Sequence, residues 1–154
     1  MEKKYELTDE ILEVGGRVLH RIKALRDFGN VKKGDIGGWI ECEDNLSHDD
    51  DCWVYEKAEV CGVAEVCGEA RVYGEARVYG KAVIKSKSDY IVFKNWWSSG
   101  RYFTWTRSND MWSVGCFYGT GEELIKKAYN DSEEKGREYE RIVKYVESIK
   151  QEFK

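Results

Sequence analysis

The sequence has 154 residues and a formal net charge of −4, with 35% charged and 42% hydrophobic residues. These values predict one domain, or two small ones tightly joined, and they exclude a long disordered chain. No stretch approaches the roughly eighteen apolar residues of a membrane span, and the first residues lack the apolar run of a secretory signal. We therefore expect a soluble, cytoplasmic protein that has no membrane partner and does not coat nucleic acid wholesale.

Residues 1–51 are predicted to form an N-terminal cap built of strands. Residues 15–25 alternate apolar and polar side chains, which is typical of a strand with two partly apolar faces. Turn-forming residues follow, and an extended run restarts at Trp39. The acidic turn from Glu43 to Asp51 could be interpreted as a cation site, but consecutive carboxylates do not converge on one ion without a special loop. We expect a solvated turn and no metal.

Residues 52–89 contain an internal repeat of six residues. From Val54 the chain reads VYEKAE, VCGVAE, VCGEAR, VYGEAR, VYGKAV and IKSKSD. Six residues is not a helical period, and a recurring glycine indicates that the chain turns. The repeat predicts a three-sided coil of about two turns, in which valine and alanine point inward and residues eighteen apart stack. Val54 would then lie under Val72, and Tyr55 under Tyr73.

Residues 90–154 are predicted to form an aromatic-rich β-meander followed by two helices. Residues 90–118 hold ten of the 21 aromatic residues, and turn-forming triplets at 98–100 and 108–110 divide this stretch into three strand-like pieces.

Two capping boxes predict where the two helices begin. Thr120 and Glu123 have the spacing of a capping box and predict a helix that runs to about Tyr129. Asp131 and Glu134 repeat that spacing before a longer helix. The apolar stripe of the longer helix contains Tyr139, Ile142, Val143, Val146, Ile149 and Phe153.

The five cysteines indicate neither a disulfide framework nor a zinc site. Their number is odd, no CxxC motif occurs, and His20 and His48 supply no paired metal ligands. We expect reduced thiols that serve as small apolar residues. The five are Cys42, Cys52, Cys61, Cys67 and Cys116.

The hexads resemble the repeat of left-handed β-helices, although glycine lies two residues after the aliphatic position. Most of the chain also resembles a family of β-helical proteins common in bacterial prophages, whose longer enterobacterial relatives are labelled as transferases. The motifs that carry this resemblance are the Gly-Gly-Trp-Ile run from residue 37, Asn45-Leu46-Ser47, Cys52-Trp53-Val54, Gly115-Cys116-Phe117 and Gly119-Thr120. The resemblance implies a short left-handed β-helix and a phage or prophage origin.

A non-enzymatic interaction protein is the function that we expect. No catalytic constellation, cofactor motif or phosphate-binding loop occurs in the sequence. Antagonism of a host defence system, by binding a host protein or sequestering a ligand, is the specific hypothesis. A hexapeptide acyltransferase-like enzyme remains an alternative, but the repeat contains no histidine to act as its base. Because a two-turn coil leaves open strand edges, we also expect a homo-oligomer.

Nucleotide or nucleic-acid binding through residues 94–107 is the second alternative. Residues 85–118 combine a net charge of +3 with the crowded aromatic residues, which is typical of a surface that stacks bases. The same rings could instead form the core beneath the helices. Adjacent residues of a strand face opposite ways, so one of the two neighbouring tryptophans should be exposed. The candidate binding residues are Lys94, Trp96, Trp97, Arg101, Trp105 and Arg107.

Overall fold

The computed structural model describes residues 2–95 and 99–152, and this part of the chain is mainly β with two C-terminal helices. The prediction of a mainly β fold that ends in two helices is confirmed. The described elements are the strands β1 (Tyr5–Val14), β2 (Arg17–Ala24), β3 (Ile36–Ile40), β4 (Trp53–Val54), β5 (Glu59–Val60), β6 (Glu65–Val66), β7 (Arg71–Val72), β8 (Arg77–Val78), β9 (Val83–Ile84), β10 (Tyr90–Lys94), β11 (Tyr102–Thr106), β12 (Met111–Val114) and β13 (Phe117–Gly119), and the helices α1 (Gly121–Asp131) and α2 (Glu133–Glu152).

The N-terminal cap is a hairpin that extends into the repeat. The strand expected in residues 15–25 is β2, which pairs antiparallel with β1 and with β3. Strand β1 could not be predicted from the sequence, because its apolar alternation is weak. Strand β3 pairs in parallel with β5, so one sheet runs in the order β1-β2-β3-β5-β8.

The six short strands of the repeat pair in parallel with an offset of eighteen residues. This offset is the one that three hexads predict. All six aliphatic side chains and all five alanines of the repeat are 0% exposed, so together they form the core of this segment. The opposing pairs are Val54 with Val72, Val60 with Val78, and Val66 with Ile84.

The turns between the sides explain the glycine that four of the six hexads contain. Gly62, Gly68, Gly74 and Gly80 have φ between 62° and 71°, a backbone conformation that residues other than glycine rarely adopt. The residue before the glycine differs in exposure from hexad to hexad, since Cys61 is 3% exposed and Tyr73 is 57% exposed.

The first end of the repeat, which faces the N-terminal cap, is closed by polar groups of that cap. The carbonyl of Ala64 accepts a hydrogen bond from the Asn45 side-chain amide at 2.8 Å. Lys4 is 0% exposed, and its Nζ donates to the carbonyl of Cys52 at 2.6 Å and lies 3.3 Å from the Cys52 Sγ. This contact joins the fourth residue of the chain to the start of the repeat. Burial lowers the pKa of Lys4, because the charged ammonium loses solvation there.

At the other end of the repeat, the last strands, β7 to β9, leave a row of backbone groups without a strand partner. In the first turn the outward-facing amides, such as Trp53 N and Tyr55 N, donate to carbonyls of the second turn. Eighteen residues later the equivalent groups face away from the repeat. We call this row the terminal edge; it comprises Arg71, Tyr73, Arg77, Tyr79, Val83 and Lys85.

At each position of the terminal edge, one backbone group bonds to a side chain from the end of the repeat or from the segment that follows it. Five residues supply these bonds: Asp89 belongs to the last hexad, and the other four lie in the segment that follows the repeat. Because one backbone group at each position is bonded within the chain, this end is less open to another chain than a bare strand edge would be. The bonds are Tyr90 Oη to Arg71 O (2.7 Å), Tyr73 N to Tyr90 Oη (3.4 Å), Arg77 N to Thr104 Oγ1 (2.9 Å), Tyr118 Oη to Tyr79 O (3.4 Å), Val83 N to Ser108 Oγ (2.8 Å) and Lys85 N to Asp89 Oδ2 (2.8 Å).

The C-terminal sheet has two different faces. Strands β10 to β13 form an antiparallel meander, which has four strands rather than the expected three because the chain also turns at Gly115, where φ is 56°. Phe103 and Trp112 lie on the face that packs against the helices. Thr104 lies on the opposite face and bonds to the repeat.

The helices cover the aromatic face of this sheet. The capping box that opens α1 is confirmed, since Thr120 Oγ1 accepts from Glu123 N at 3.2 Å. The prediction for α2 is wrong by one residue, because Ser132 Oγ, not Asp131, accepts from the amide of Lys135. Neither α1 nor α2 has the length and apolar composition that crossing a bilayer requires. Of the predicted stripe, Tyr139, Val143 and Val146 are buried, and Phe153 lies outside the described residues.

A substitution in the repeat core tests the hexad register. Val72→Asp should lower the free energy of unfolding by more than about 3 kcal/mol, because it buries a carboxylate without a partner. Glu69→Lys lies on the exposed surface three residues away and should cost less than about 0.5 kcal/mol. Urea denaturation measures both, and equal tolerance at the two positions would contradict the register.

A second substitution tests the terminal edge. Tyr90→Phe removes the hydroxyl that bonds to Arg71 O and Tyr73 N, and it should cost about 1 to 3 kcal/mol because both groups lose their partner. Tyr145→Phe is the matched control, since Tyr145 is 55% exposed on α2 and should cost under about 0.5 kcal/mol. Thermal unfolding compares the two variants, and an equal effect would show that the Tyr90 hydroxyl does not protect the edge.

Candidate functional site

A groove of about 450 Å³ lies between the C-terminal sheet and the last turns of α2. Its floor is apolar, and its rim carries three basic residues and one acidic residue. We call it the C-terminal groove. Its lining residues are Lys87, Ser88, Tyr90, Ile91, Trp105, Arg107, Asp110, Ile149 and Lys150.

Hydrogen bonds fix the polar side of this groove. Asp110 accepts from Trp105 Nε1 at 2.8 Å and from Lys150 Nζ at 2.7 Å. Burial alone would raise the pKa of Asp110, but these two hydrogen bonds lower it below its usual value, so the carboxylate is charged at neutral pH. Burial raises the pKa of Tyr90 to about 12, so its hydroxyl remains a donor.

A second cavity, of about 670 Å³, lies beside the groove along the flank of the repeat. Tyr55 and Tyr73 stack edge to face in it, with their ring centroids 6.1 Å apart. Tyr73 is 57% exposed. We call this cavity the tyrosine cleft. It is lined by Asn30, Tyr55, Glu69, Arg71, Tyr73, Ser86 and Lys87.

The structure does not bring all the predicted binding residues together. Trp105 and Arg107 line the C-terminal groove. Lys94 and Arg101 lie toward the other end of the sheet, since Arg101 and Arg107 flank β11 and are separated by roughly 20 Å of extended chain. Lys94 Nζ lies 6.0 Å from the ring centroid of Tyr102 there. The remaining two candidates, Trp96 and Trp97, lie outside the described residues.

Trp105 is part of the core rather than an exposed stacking ring. It is 3% exposed, so it offers a ligand in the groove very little surface. Two lining residues were not among the predicted binding residues. Ile149 was expected on the apolar stripe of the longer helix, and Tyr73 was assigned only a stacking position above Tyr55. Lys87 was counted in the basic stretch but was not selected, although it lines both cavities.

His48 is held in place on both of its ring nitrogens. Its Nδ1 accepts from the amide of Lys4 at 3.1 Å, so the other nitrogen, Nε2, carries the proton and donates to Glu43 at 2.8 Å. Its ring stacks on Tyr5 with centroids 4.1 Å apart. The bond from His48 lowers the pKa of Glu43. Neither nitrogen of this ring is available to remove a proton from a substrate.

His20 lies in β2 and is half-buried. Its Nδ1 lies 3.1 Å from the carbonyl of Thr8, which makes that nitrogen the donor. Neither His20 nor His48 lines the C-terminal groove or the tyrosine cleft. The two histidines therefore contribute to the N-terminal cap and not to these cavities.

Cysteines and acidic residues do not assemble a centre of their own. All five thiols are free, and burial raises the pKa of Cys61 to about 11, which makes it a poor nucleophile. Within residues 2–95 and 99–152, no three His, Cys, Asp or Glu side chains lie close enough to hold a metal ion.

Comparison with known proteins gives one partial likeness. No protein-family model matches the chain. The chain is similar to YdcK of Escherichia coli strain K12, described as an uncharacterized acetyltransferase, with 33% identity over 66 residues. The match covers 38% of this chain and 20% of that protein, so the chain spans about a fifth of the length of the curated relative that it matches.

Proposed function

We propose that the protein is a non-enzymatic binding protein that takes a small anionic ligand with an apolar ring into the C-terminal groove. The observation that carries this proposal is the combination of an apolar floor with a rim on which Lys150 is paired with Asp110 and Glu147, whereas Lys87 has no ion pair within residues 2–95 and 99–152. An apolar floor binds rings by excluding water, and an excess of rim cations attracts an anion.

The biological setting that we propose follows from the motifs of the chain. We propose a phage or prophage protein that acts in the host cytoplasm and antagonises a defence system by sequestering a ligand. We propose further that the repeat segment is about two turns of a left-handed β-helix. The parallel pairs with an offset of eighteen residues support this coil.

Acyl transfer is the second candidate, favoured by the partial likeness to an acetyltransferase. Transfer by a histidine base would need that base beside a cavity. His48 is held on both nitrogens, and neither histidine lines the groove or the cleft. The likeness therefore supports a related repeat more directly than a shared reaction.

A fluorescent probe tests the groove. The probe 8-anilinonaphthalene-1-sulfonate joins apolar rings to an anion, so we expect it to bind the intact protein. Ile149→Asp should weaken this binding at least tenfold, because it places a negative charge in the apolar floor. Fluorescence titration gives the dissociation constants.

Ile11→Asp is the control for this experiment. Ile11 is 50% exposed on β1, outside the groove, and its substitution should leave the affinity unchanged. Circular dichroism confirms that each variant is folded. If both variants bind the probe as the unchanged protein does, the groove is not the binding site.

Replacing the histidines separates the two candidates. His48→Gln should lower the stability by about 1 to 2 kcal/mol, because it removes the stacking on Tyr5 and alters the bond to Glu43. The double variant His20→Gln with His48→Gln should still bind the probe with unchanged affinity below its melting temperature. Loss of binding by this folded variant would instead favour a site built around a histidine.

A further inference from the structure

The two cavities adjoin at one residue. Lys87 lines both the C-terminal groove and the tyrosine cleft, and it is exposed on the short 3-10 turn between β9 and β10. A ligand that fills both cavities must therefore pass the Lys87 ammonium. The chemistry at this crossing point favours a negative charge in the middle of the ligand.

Each cavity offers a surface for one ring. In the tyrosine cleft, Tyr55 packs edge to face against Tyr73, which is 57% exposed. Aromatic rings of this kind stack on nucleobases of any sequence. In the groove, Tyr90, Ile91 and Ile149 supply an apolar floor for a second ring.

Polar groups in the cleft suit the edge of a base. The Tyr55 hydroxyl donates to Asn30 Oδ1 at 3.2 Å, which orients the Asn30 side chain and turns its two amide hydrogens away from Tyr55. Ser86, also in the lining, has a hydroxyl that can donate or accept. These groups match the mixed donors and acceptors of a nucleobase.

The charges favour a short anion over a long one. Arg71 and Lys87 are exposed, and neither has an ion-pair partner within residues 2–95 and 99–152. Beyond the cleft, the cavity that shares Asn30 and Tyr55 carries Asp35 and Glu56, which would repel a continuing phosphate chain. The net charge of −4 also disfavours a polymer of phosphates.

We infer that the ligand is a dinucleotide whose two bases occupy the C-terminal groove and the tyrosine cleft and whose linking phosphate lies at Lys87. This inference rests on the proposed function, because it uses the same groove. A linear and a cyclic dinucleotide share the chemistry that the two cavities recognise, namely two bases joined through phosphate.

Isothermal titration of the full chain with AMP, linear diadenylate and cyclic diadenylate tests the inference. At least one diadenylate should bind ten times or more tightly than AMP, and a preference between the two forms identifies the source of the ligand. Tyr73→Ala should weaken diadenylate binding about tenfold. Tyr145→Ala, a tyrosine of nearly equal exposure on α2, should leave it unchanged.

A pair of lysine variants tests the position of the phosphate. Lys87→Ser should weaken diadenylate binding at least fivefold, whereas Lys81→Ser, an exposed lysine outside both cavities, should not change it. Equal effects of the two lysine variants would overturn the assignment of the phosphate to Lys87.

The remaining outcomes separate this inference from the proposed function. If the naphthalene sulfonate binds but the diadenylates bind no better than AMP, the dinucleotide inference is wrong, whereas the groove remains the proposed binding site. If affinity keeps rising with oligoadenylates longer than two nucleotides, the site binds single-stranded nucleic acid, and the two-base assignment is wrong. If neither the sulfonate nor any nucleotide binds, both proposals fall.

Discussion

The structure depends on closing the terminal edge of the repeat. Parallel strands that stack in turns leave a last turn whose backbone groups lack a strand partner. Such groups can pair with another chain, and they destabilise the fold if they are buried without any hydrogen bond. Here one hydroxyl from Tyr90 serves two positions, and single side chains from Thr104, Tyr118, Ser108 and Asp89 serve the others. The meander is thereby a lid on the repeat, held by these hydrogen bonds and by the packing of Tyr90 and Val92 on the repeat core.

Both cavities result from this arrangement. Tyr90 bonds to the terminal edge through its hydroxyl, while its ring forms part of the groove floor. The aromatic face of the meander then needs a cover, which α1 and α2 supply. Since α2 reaches Ile149 only in its last turns, the groove opens where this helix leaves the sheet. Tyr90 therefore contributes both to the closing of the terminal edge and to the candidate site.

Periodic features of the chain could be predicted from the sequence, and single contacts could not. The hexads predicted the offset of eighteen residues, and the spacing of Thr120 and Glu123 predicted the start of α1, because both patterns are local. The residues that close the terminal edge show no period, since their positions are set by the distance between two packed units. The groove was missed for the same reason: Ile149 and Tyr90 are distant in sequence, and only the docking of α2 brings them together.

The eighteen-residue period limits how the length of this protein can change during evolution. Inserting one hexad would move each strand to the neighbouring side of the repeat, so Thr104 would meet the backbone of β7 or β9 instead of Arg77. Two hexads would displace the strands by two sides. Three hexads restore every strand to its original side, with the same backbone groups facing the meander. Relatives that keep this lid should therefore differ in repeat length by multiples of eighteen residues, whereas other lengths need a redesigned lid.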